Sequence, residues 1–330
     1  GGVPMAVYKN GSTGDDVARI QKALKDAGFY QGEPDGVFGS QTEIALKNFQ
    51  TKSGLGADGI VGPATWGKLF PSPVSIAKEV SGDLDSRCLA LTGSFETGKF
   101  SPECFATMTG NFDGQGMSFG ALQWNFGQGT LQTLLQEMFA NHQDIASGIF
   151  GNNLGQLQAV INGGKGAALS FADSIQDRVK HAITDPWKQM FRTLGLTKEF
   201  QAIEVRGAAT YYQKGTRLCQ DYGLWSQRGR ALMFDICVQN GSIADSVKTL
   251  ILADFGKLPQ SLSPEETELA KMRIVANRRA EAANPKFVED VRRRKLCIAE
   301  GKGVVHGITY DLAAQFGLDL RKAEGVGDYL

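Results

Sequence analysis

No uninterrupted apolar run in the 330 residues comes near the ~20 that a membrane-spanning helix requires. The N-terminus, Gly1-Gly2-Val3-Pro4-Met5, has no basic segment leading into an apolar stretch, so no signal peptide is visible. Histidine is scarce: His142, His181 and His306 stand alone, and none lies in an HExxH or HxxxH pattern. A zinc peptidase or zinc amidase needs several imidazole, carboxylate or thiolate ligands, so that class is disfavoured and no metal or other cofactor is expected. The five cysteines (Cys88, Cys104, Cys219, Cys237, Cys297) are odd in number and form no CxxC pair. That pattern argues against a disulfide framework and for synthesis in a reducing compartment. None stands in a recognisable nucleophile context. The formal net charge is +0, so bulk attraction to nucleic acid or to an anionic surface is not the organising principle. No nucleic acid or membrane partner is expected, and the chain reads as a monomer.

What is present is enough apolar residue, 42%, to build real cores, in a chain longer than one ordinary domain. Residues 10 to 70 are strongly punctuated. Gly14-Asp15-Asp16 opens a helix with Val17, Ile20, Leu24 and Ala27 on one stripe, and Gly28 ends it. The loop Asp35-Gly36-Val37-Phe38-Gly39 precedes Ser40-Gln41-Thr42-Glu43, which reads as a capping box with Ser40 as N-cap. Ala45, Leu46 and Phe49 follow on the inward face. The loop recurs as Asp58-Gly59-Ile60-Val61-Gly62, with Pro63 at the start of a helix that presents Trp66, Leu69 and Phe70.

This internal repeat, with its G-x-x-G-x-x-V opening and D-G-I-V-G-P-x-T-W ending, strongly resembles the three-helix peptidoglycan-binding module of wall hydrolases over residues 8 to 70. The motif residues mainly build the fold: glycine for positive φ, aspartate for capping. Candidate wall-contacting residues are Asp35 and Asp58 in the loops and the exposed polar Gln41 and Asn48 beside them. Pro71-Ser72-Pro73 reads as a short stiff linker, giving a wall-binding domain over 1–73 and a second domain over 74–330.

The second domain reads as mostly helical. Asp85 is placed as the cap of a helix carrying Cys88, Leu91 and Phe95, stopped by Gly98. Residues 110 to 130 are too rich in glycine for a helix, so turns and short strands are expected. Helices are expected at about 130–145, 167–183, 198–214, 227–240, 265–283 and 286–300, with a short one inside the loop-like stretch 148–166. Glycosidic cleavage needs one carboxylic acid held protonated, and inverting hydrolysis needs a second carboxylate to activate water. Glu96, ending its helix, fits the first role; Leu89, Thr92 and Gly93 share its face, and the two small ones leave room for substrate. Asp113, in Asn111-Phe112-Asp113-Gly114-Gln115-Gly116, fits the second, with an Asx-turn as the competing reading. Glu103 is the rival acid.

The order of helix-ending glutamate, glycine-rich hairpin and Gly120-Ala121-Leu122-Gln123-Trp124 is similar to the lysozyme superfamily, nearest to its chitosanase branch. That branch has a D-G-x-G-x-[TS]-x-G motif, here Asp113 to Gly120. The resemblance implies a mainly α chain: a small three-helix domain followed by a lysozyme-like α+β domain with a small hairpin. It implies a catalytic set of Glu96, Asp113 and Ser118, with Ser118 holding the attacking water or standing as a strand-surface hydroxyl. Gln123, Trp124, Asn125, Tyr211 and Asn240 are the substrate-binding candidates. Gln123 and Asn125 bind N-acetyl groups or close the hairpin, and tyrosines at helical spacing are often core. Asn240 stands where a histidine is common in chitosanases, which with the wall module makes chitosan a doubtful substrate. The run Arg292-Arg293-Arg294-Lys295 reads as a solvated helix face, one arginine of which is a candidate to reach a catalytic carboxylate.

The function expected is cleavage of the glycan strand of peptidoglycan between N-acetylmuramic acid and N-acetylglucosamine, with inversion. The alternatives are a lytic transglycosylase on the same bond, a chitosanase-like hydrolase and a non-catalytic wall-binding protein. Action outside the cytoplasm without a visible signal peptide fits an endolysin or an antibacterial effector delivered by lysis or a secretion system. Either leaves room for delivery machinery or an immunity protein as partner.

Overall fold

The computed structural model describes residues 7–70 and 82–324. The two chain ends and the expected linker Pro71-Ser72-Pro73 lie outside the described residues. In chain order the helices are α1 (Asp15–Asp26), α2 (Ser40–Lys52), α3 (Pro63–Leu69) and α4 (Leu84–Thr97). Three short strands follow: β1 (Met108–Thr109), β2 (Ser118–Phe119) and β3 (Trp124–Asn125). Then come α5 (Thr130–Asn141), α6 (Gln143–Phe150), α7 (Leu154–Asn162), α8 (Lys165–Ser174), α9 (Trp187–Gly195), α10 (Lys198–Gly207), α11 (Ala209–Tyr222) and α12 (Gln227–Asn240). The chain continues through α13 (Asp245–Phe255), α14 (Pro264–Glu281), α15 (Val288–Glu300), β4 (Lys302–Val305) and β5 (Ile308–Asp311). The mainly helical architecture with a small sheet is the fold class expected from the sequence.

The described residues form two compact units. Residues 7–70 belong with Ile243–Leu312, and residues 82–242 belong with 313–324. The first unit is therefore discontinuous in sequence. Its core is built from Val17, Ile20 and Leu24 of α1, Ala45, Leu46 and Phe49 of α2 and Trp66 and Leu69 of α3; Val304 of β4 packs against it.

The expected capping box at Ser40 does not form. Gly39 is the N-cap of α2 and no side chain caps it. Glu43 is drawn elsewhere, accepting from Asn10 Nδ2 at 2.9 Å and from Lys47 Nζ at 2.8 Å. A true capping box starts α14, where Ser263 and Glu266 bond each other's backbone. The expectation of a solvated arginine face on α15 also needs correction. Arg294 and Lys295 are buried. The Arg293 guanidinium lies 4.6 Å from the Tyr8 ring centroid and pairs with Asp16. A guanidinium flattened on an aromatic ring with a carboxylate at its edge is stable where an ammonium would not be.

In the second unit α4 starts two residues earlier than expected, with Asp83 rather than Asp85 at its N-cap, and Gly98 ends it in the left-handed region as expected. α12 spans the 227–240 read from the sequence. The helix expected over 167–183 stops at Ser174. There the Asp177 carboxylate accepts from the amides of Val179 and Lys180, so a turn outcompetes a further helical turn. The helices α9 and α13 were not anticipated.

Candidate functional site

The repeated loops of the wall module are organised by two buried glutamines. Gln21 Nε2 donates to Asp35 Oδ1 (2.9 Å), Val37 O (3.0 Å) and Thr42 Oγ1 (3.1 Å), and its Oε1 accepts from Gly36 N (2.9 Å). Gln50 does the same one repeat later, reaching Asp58 Oδ1 (2.8 Å), Ile60 O (3.0 Å) and Thr65 Oγ1 (3.1 Å) and accepting from Gly59 N (3.0 Å). The Asp35 and Asp58 carboxylates also accept the amide of the residue two further on, which holds both below the usual carboxylate range. Asp35 and Asp58 are thus committed to the loops. Gln41 and Asn48 are exposed on α2, three residues before and four after the exposed Ile44, so the three share one helix face. The sequence reading missed Gln21 and Gln50; the signal was a glutamine ahead of each D-G-[VI] loop and a threonine behind it.

In the second unit α4 is pressed against the hairpin. A Cβ on Gly93 would lie 2.9 Å from Ala121 Cβ, so only glycine permits this approach. Gly93 is small for packing and not to leave room for substrate, which corrects that expectation. Thr92 is also committed, donating to the buried Asp235 Oδ1 of α12 at 2.7 Å. Glu96 sits one turn beyond Gly93 and is exposed.

Asp113 is exposed on the loop between β1 and β2, and its Oδ1 accepts from Gln115 N at 3.0 Å. The Asx-turn reading is therefore realised, yet one turn bond leaves most of a carboxylate's acceptor capacity open. The loop is anchored from beneath: Asn111 N donates to Gln176 Oε1 (2.8 Å) and Asn111 Nδ2 to Asp173 Oδ1 (2.9 Å). Phe112, 65% exposed, meets the His181 ring edge-on at 5.2 Å. Strand register puts Thr109, Ser118 and Asn125 opposite one another, on one partly exposed face of the sheet. Phe119 and Trp124 face the other way and are buried.

The remaining candidates divide. Gln123 Nε2 donates to Thr107 O and Gly120 O, and its Oε1 accepts from Thr109 Oγ1, so it closes the hairpin. Asn125 Oδ1 accepts from Gln128 N at 2.9 Å in the following turn. Trp124 is core. Tyr211 is exposed on α11. Its neighbour Tyr212 lines a cavity with Asp83 and Asp85, at the far end of α4 from Glu96. Asn240 ends α12 with its Oδ1 buried and without a hydrogen-bond partner.

Glu103 is held by Arg192, whose Nη2 lies 3.0 Å from Oε1, and its pKa is lowered by that bond. A carboxylate so stabilised is a poor proton donor. The strongly perturbed acid is one the sequence reading missed, Glu204 of α10. It is fully buried, accepts from Ala121 N at 2.7 Å, and desolvation pushes its pKa well above the ordinary value. With no access to solvent it braces the hairpin instead of meeting a sugar. The five cysteines are buried and not joined in disulfides, and burial pushes the thiols of Cys88 and Cys104 up, away from nucleophilic character. Among the described residues no group of three or more His, Cys, Asp or Glu is placed to hold a metal ion, and no helix is long and apolar enough to cross a membrane.

Residues 13–69 match the family described as "Putative peptidoglycan binding domain". Over 57 residues the chain is 54% identical to N-acetylmuramoyl-L-alanine amidase CwlM of Mycobacterium tuberculosis, covering 17% of this chain and 14% of that protein. Over 59 residues it is 51% identical to the spore cortex-lytic enzyme of Bacillus cereus, covering 18% of this chain and 23% of that one. The chain therefore spans less than a quarter of the length of these relatives. Their names carry different activities, so the shared segment does not specify a reaction. A Gynuella sunshinyii GH46 chitosanase in complex with chitotetraose is 12% identical, with a TM-score of 0.43, covering 70% of this chain and 98% of that one.

Proposed function

We propose that the chain binds peptidoglycan through its first unit and hydrolyses the glycan strand, between N-acetylmuramic acid and N-acetylglucosamine, at the end of α4. The observation that carries this reading is that the second unit holds an exposed helix-end acid on α4 and an exposed carboxylate on the β1–β2 loop of the hairpin that packs on α4 where Gly93 meets Ala121. Glu96 donates its proton to the leaving oxygen. Asp113, with acceptor capacity beyond its turn, orients and deprotonates water, and Ser118 on the adjacent strand shares that water. Glu103 is excluded by its ion pair and Glu204 by its burial. Because Glu96 is open to solvent, the bound glycan itself completes the shielding that general acid catalysis benefits from. On the wall module, the exposed Gln41–Ile44–Asn48 face of α2 meets the strand.

Mass spectrometry of digested sacculi tests the reading. Reducing saccharide ends are expected, and NMR of fresh digests should show the inverted anomer first, since a base acting through water displaces from the opposite face. Terminal 1,6-anhydro ends would move the protein to transglycosylation by Glu96 alone. Cut peptides with intact glycan would overturn the reading.

A further inference from the structure

The first unit contains a cavity of about 920 Å³ that neither the wall module nor the later segment makes alone. One wall is the start of α1, from Ser12 to Asp16, and the other is the start of α15 with the β4–β5 turn at His306. Its volume suits a short peptide or a compact small molecule and is far too small for a folded partner.

The lining charges nearly cancel. Four carboxylates (Asp15, Asp16, Glu289, Asp290) face three fixed cations (Lys286, Arg292, Arg293) and His306. A polyanion or a polycation gains little from such a site. Most of these charges answer one another. Asp16 pairs with Arg293, Glu289 with Arg292, and His306 Nε2 lies 2.5 Å from Asp290 Oδ1. Among the described residues, Asp15 and Lys286 keep no ion-pair partner, and both are exposed. The Nε atoms of Arg292 and Arg293 are buried without a hydrogen-bond partner. The cavity thus offers one acid without an ion pair at one wall and, at the other, one ammonium without an ion pair that lies over the Phe287 ring. The exposed Phe287 adds an apolar surface between them.

We infer that this cavity binds the peptide stem of peptidoglycan, a short peptide that carries both carboxylates and a free side-chain amine. The amine sits at Asp15, and a carboxylate sits at Lys286. An N-acetylated glycan has no charge to answer either group. The inference rests on the peptidoglycan reading above and adds a second contact to it, on the peptide rather than the sugar.

The test uses the full chain and the probe N-acetyl-L-Ala–γ-D-Glu–L-Lys–D-Ala, by calorimetry and by NMR of the His306 and Phe287 signals. Binding is expected, and either amidating the C-terminus or acetylating the lysine amine should weaken it ~10-fold, the scale of one lost charge-assisted bond. The double variant Asp15→Asn, Lys286→Gln, both at exposed positions, should lose binding with its melting temperature unchanged. No binding, equal binding of the blocked peptides, or His306 shifts produced by tetra-N-acetylchitotetraose would overturn the assignment. Saccharide release from sacculi is read in parallel. Release without peptide binding removes only the cavity assignment, whereas peptide binding without release upholds the cavity and removes the glycan reading.

Discussion

Asp-Gly turns at Asp35, Asp58 and Asp113 share one local design. Each is followed by a glycine in the left-handed region, with φ of 75°, 74° and 80° at Gly36, Gly59 and Gly114. Each aspartate accepts the amide two residues on, at 2.9, 2.9 and 3.0 Å. The difference lies beneath the turn. In the wall module a buried glutamine donates a second bond to the aspartate and accepts one from the glycine amide, so the motif is consumed by the fold. In the second unit no glutamine reaches Asp113; Asn111 is the residue pinned from below, and the carboxylate stays open. The same dipeptide is framework twice and available for chemistry once, and its surroundings decide which.

The largest expected effect separates the turns by activity. Asp113→Asn keeps an acceptor for Gln115 N but cannot take a proton, so lysis should fall by ~10²–10⁴-fold. Glu96→Gln should match it. Asp35→Asn should leave the rate per folded molecule unchanged. Turbidity loss of sacculi measures all three, and full activity in Asp113→Asn would make the third turn framework like the others.

Next in size is the glutamine support. Gln50→Leu strands Gly59 N–H and Thr65 Oγ1 in the interior, removes a bond from the exposed Asp58, and should cost about 2–4 kcal/mol by denaturant unfolding. Glu96-dependent cleavage of a soluble substrate should persist. A change well under that range would mean water replaces the amide.

A smaller effect is expected at Glu204. Its folded pKa is raised, so its contribution is complete below the ordinary value of 4.5 and is lost as pH rises towards the folded value. Glu204→Gln should therefore gain stability relative to the parent as pH climbs from 4 to 8. A difference that stays flat would place the carboxyl in a more polar setting than the hairpin suggests.

The smallest effect is on the acid side. Asp35 and Asp58 have lowered pKa values, so their contribution is present above the ordinary 3.8 and fades as pH falls below it. The double variant Asp35→Asn, Asp58→Asn should melt below the parent at pH 7 and converge with it as pH falls below about 4, which flattens the acid limb of the melting curve.

The module was legible because its repeat carries local chemistry: glycine, aspartate and apolar spacing each declare a turn or a face. α12 was legible for a similar reason, with Ser226 accepting from Gly229 N as its cap. What escaped detection depends on distant partners. Nothing near Gly93 announces that Ala121 fills its space. Nothing near Glu204 announces that Ala121 N will point at it. The arginine run of α15 looks solvated until Tyr8 and Asp16 are placed against it. Of the candidate site, Glu96 and Asp113 were legible as residue types in suitable settings, while the exposure of Glu96 and the hairpin-closing use of Gln123 required the fold.

The discontinuity of the first unit sets a schedule for synthesis. Its three short helices are made before Arg293 and Val304, which cover Tyr8 and the core and are encoded only after residues 82–242 of the second unit. At ~5–20 residues per second the interval between Phe70 and Val304 is roughly 10–45 s. Throughout it the α1 end lacks its cover and the peptide cavity has only one wall. The two-walled cavity therefore exists only in chains translated past His306, and a product truncated before α15 carries the module without it.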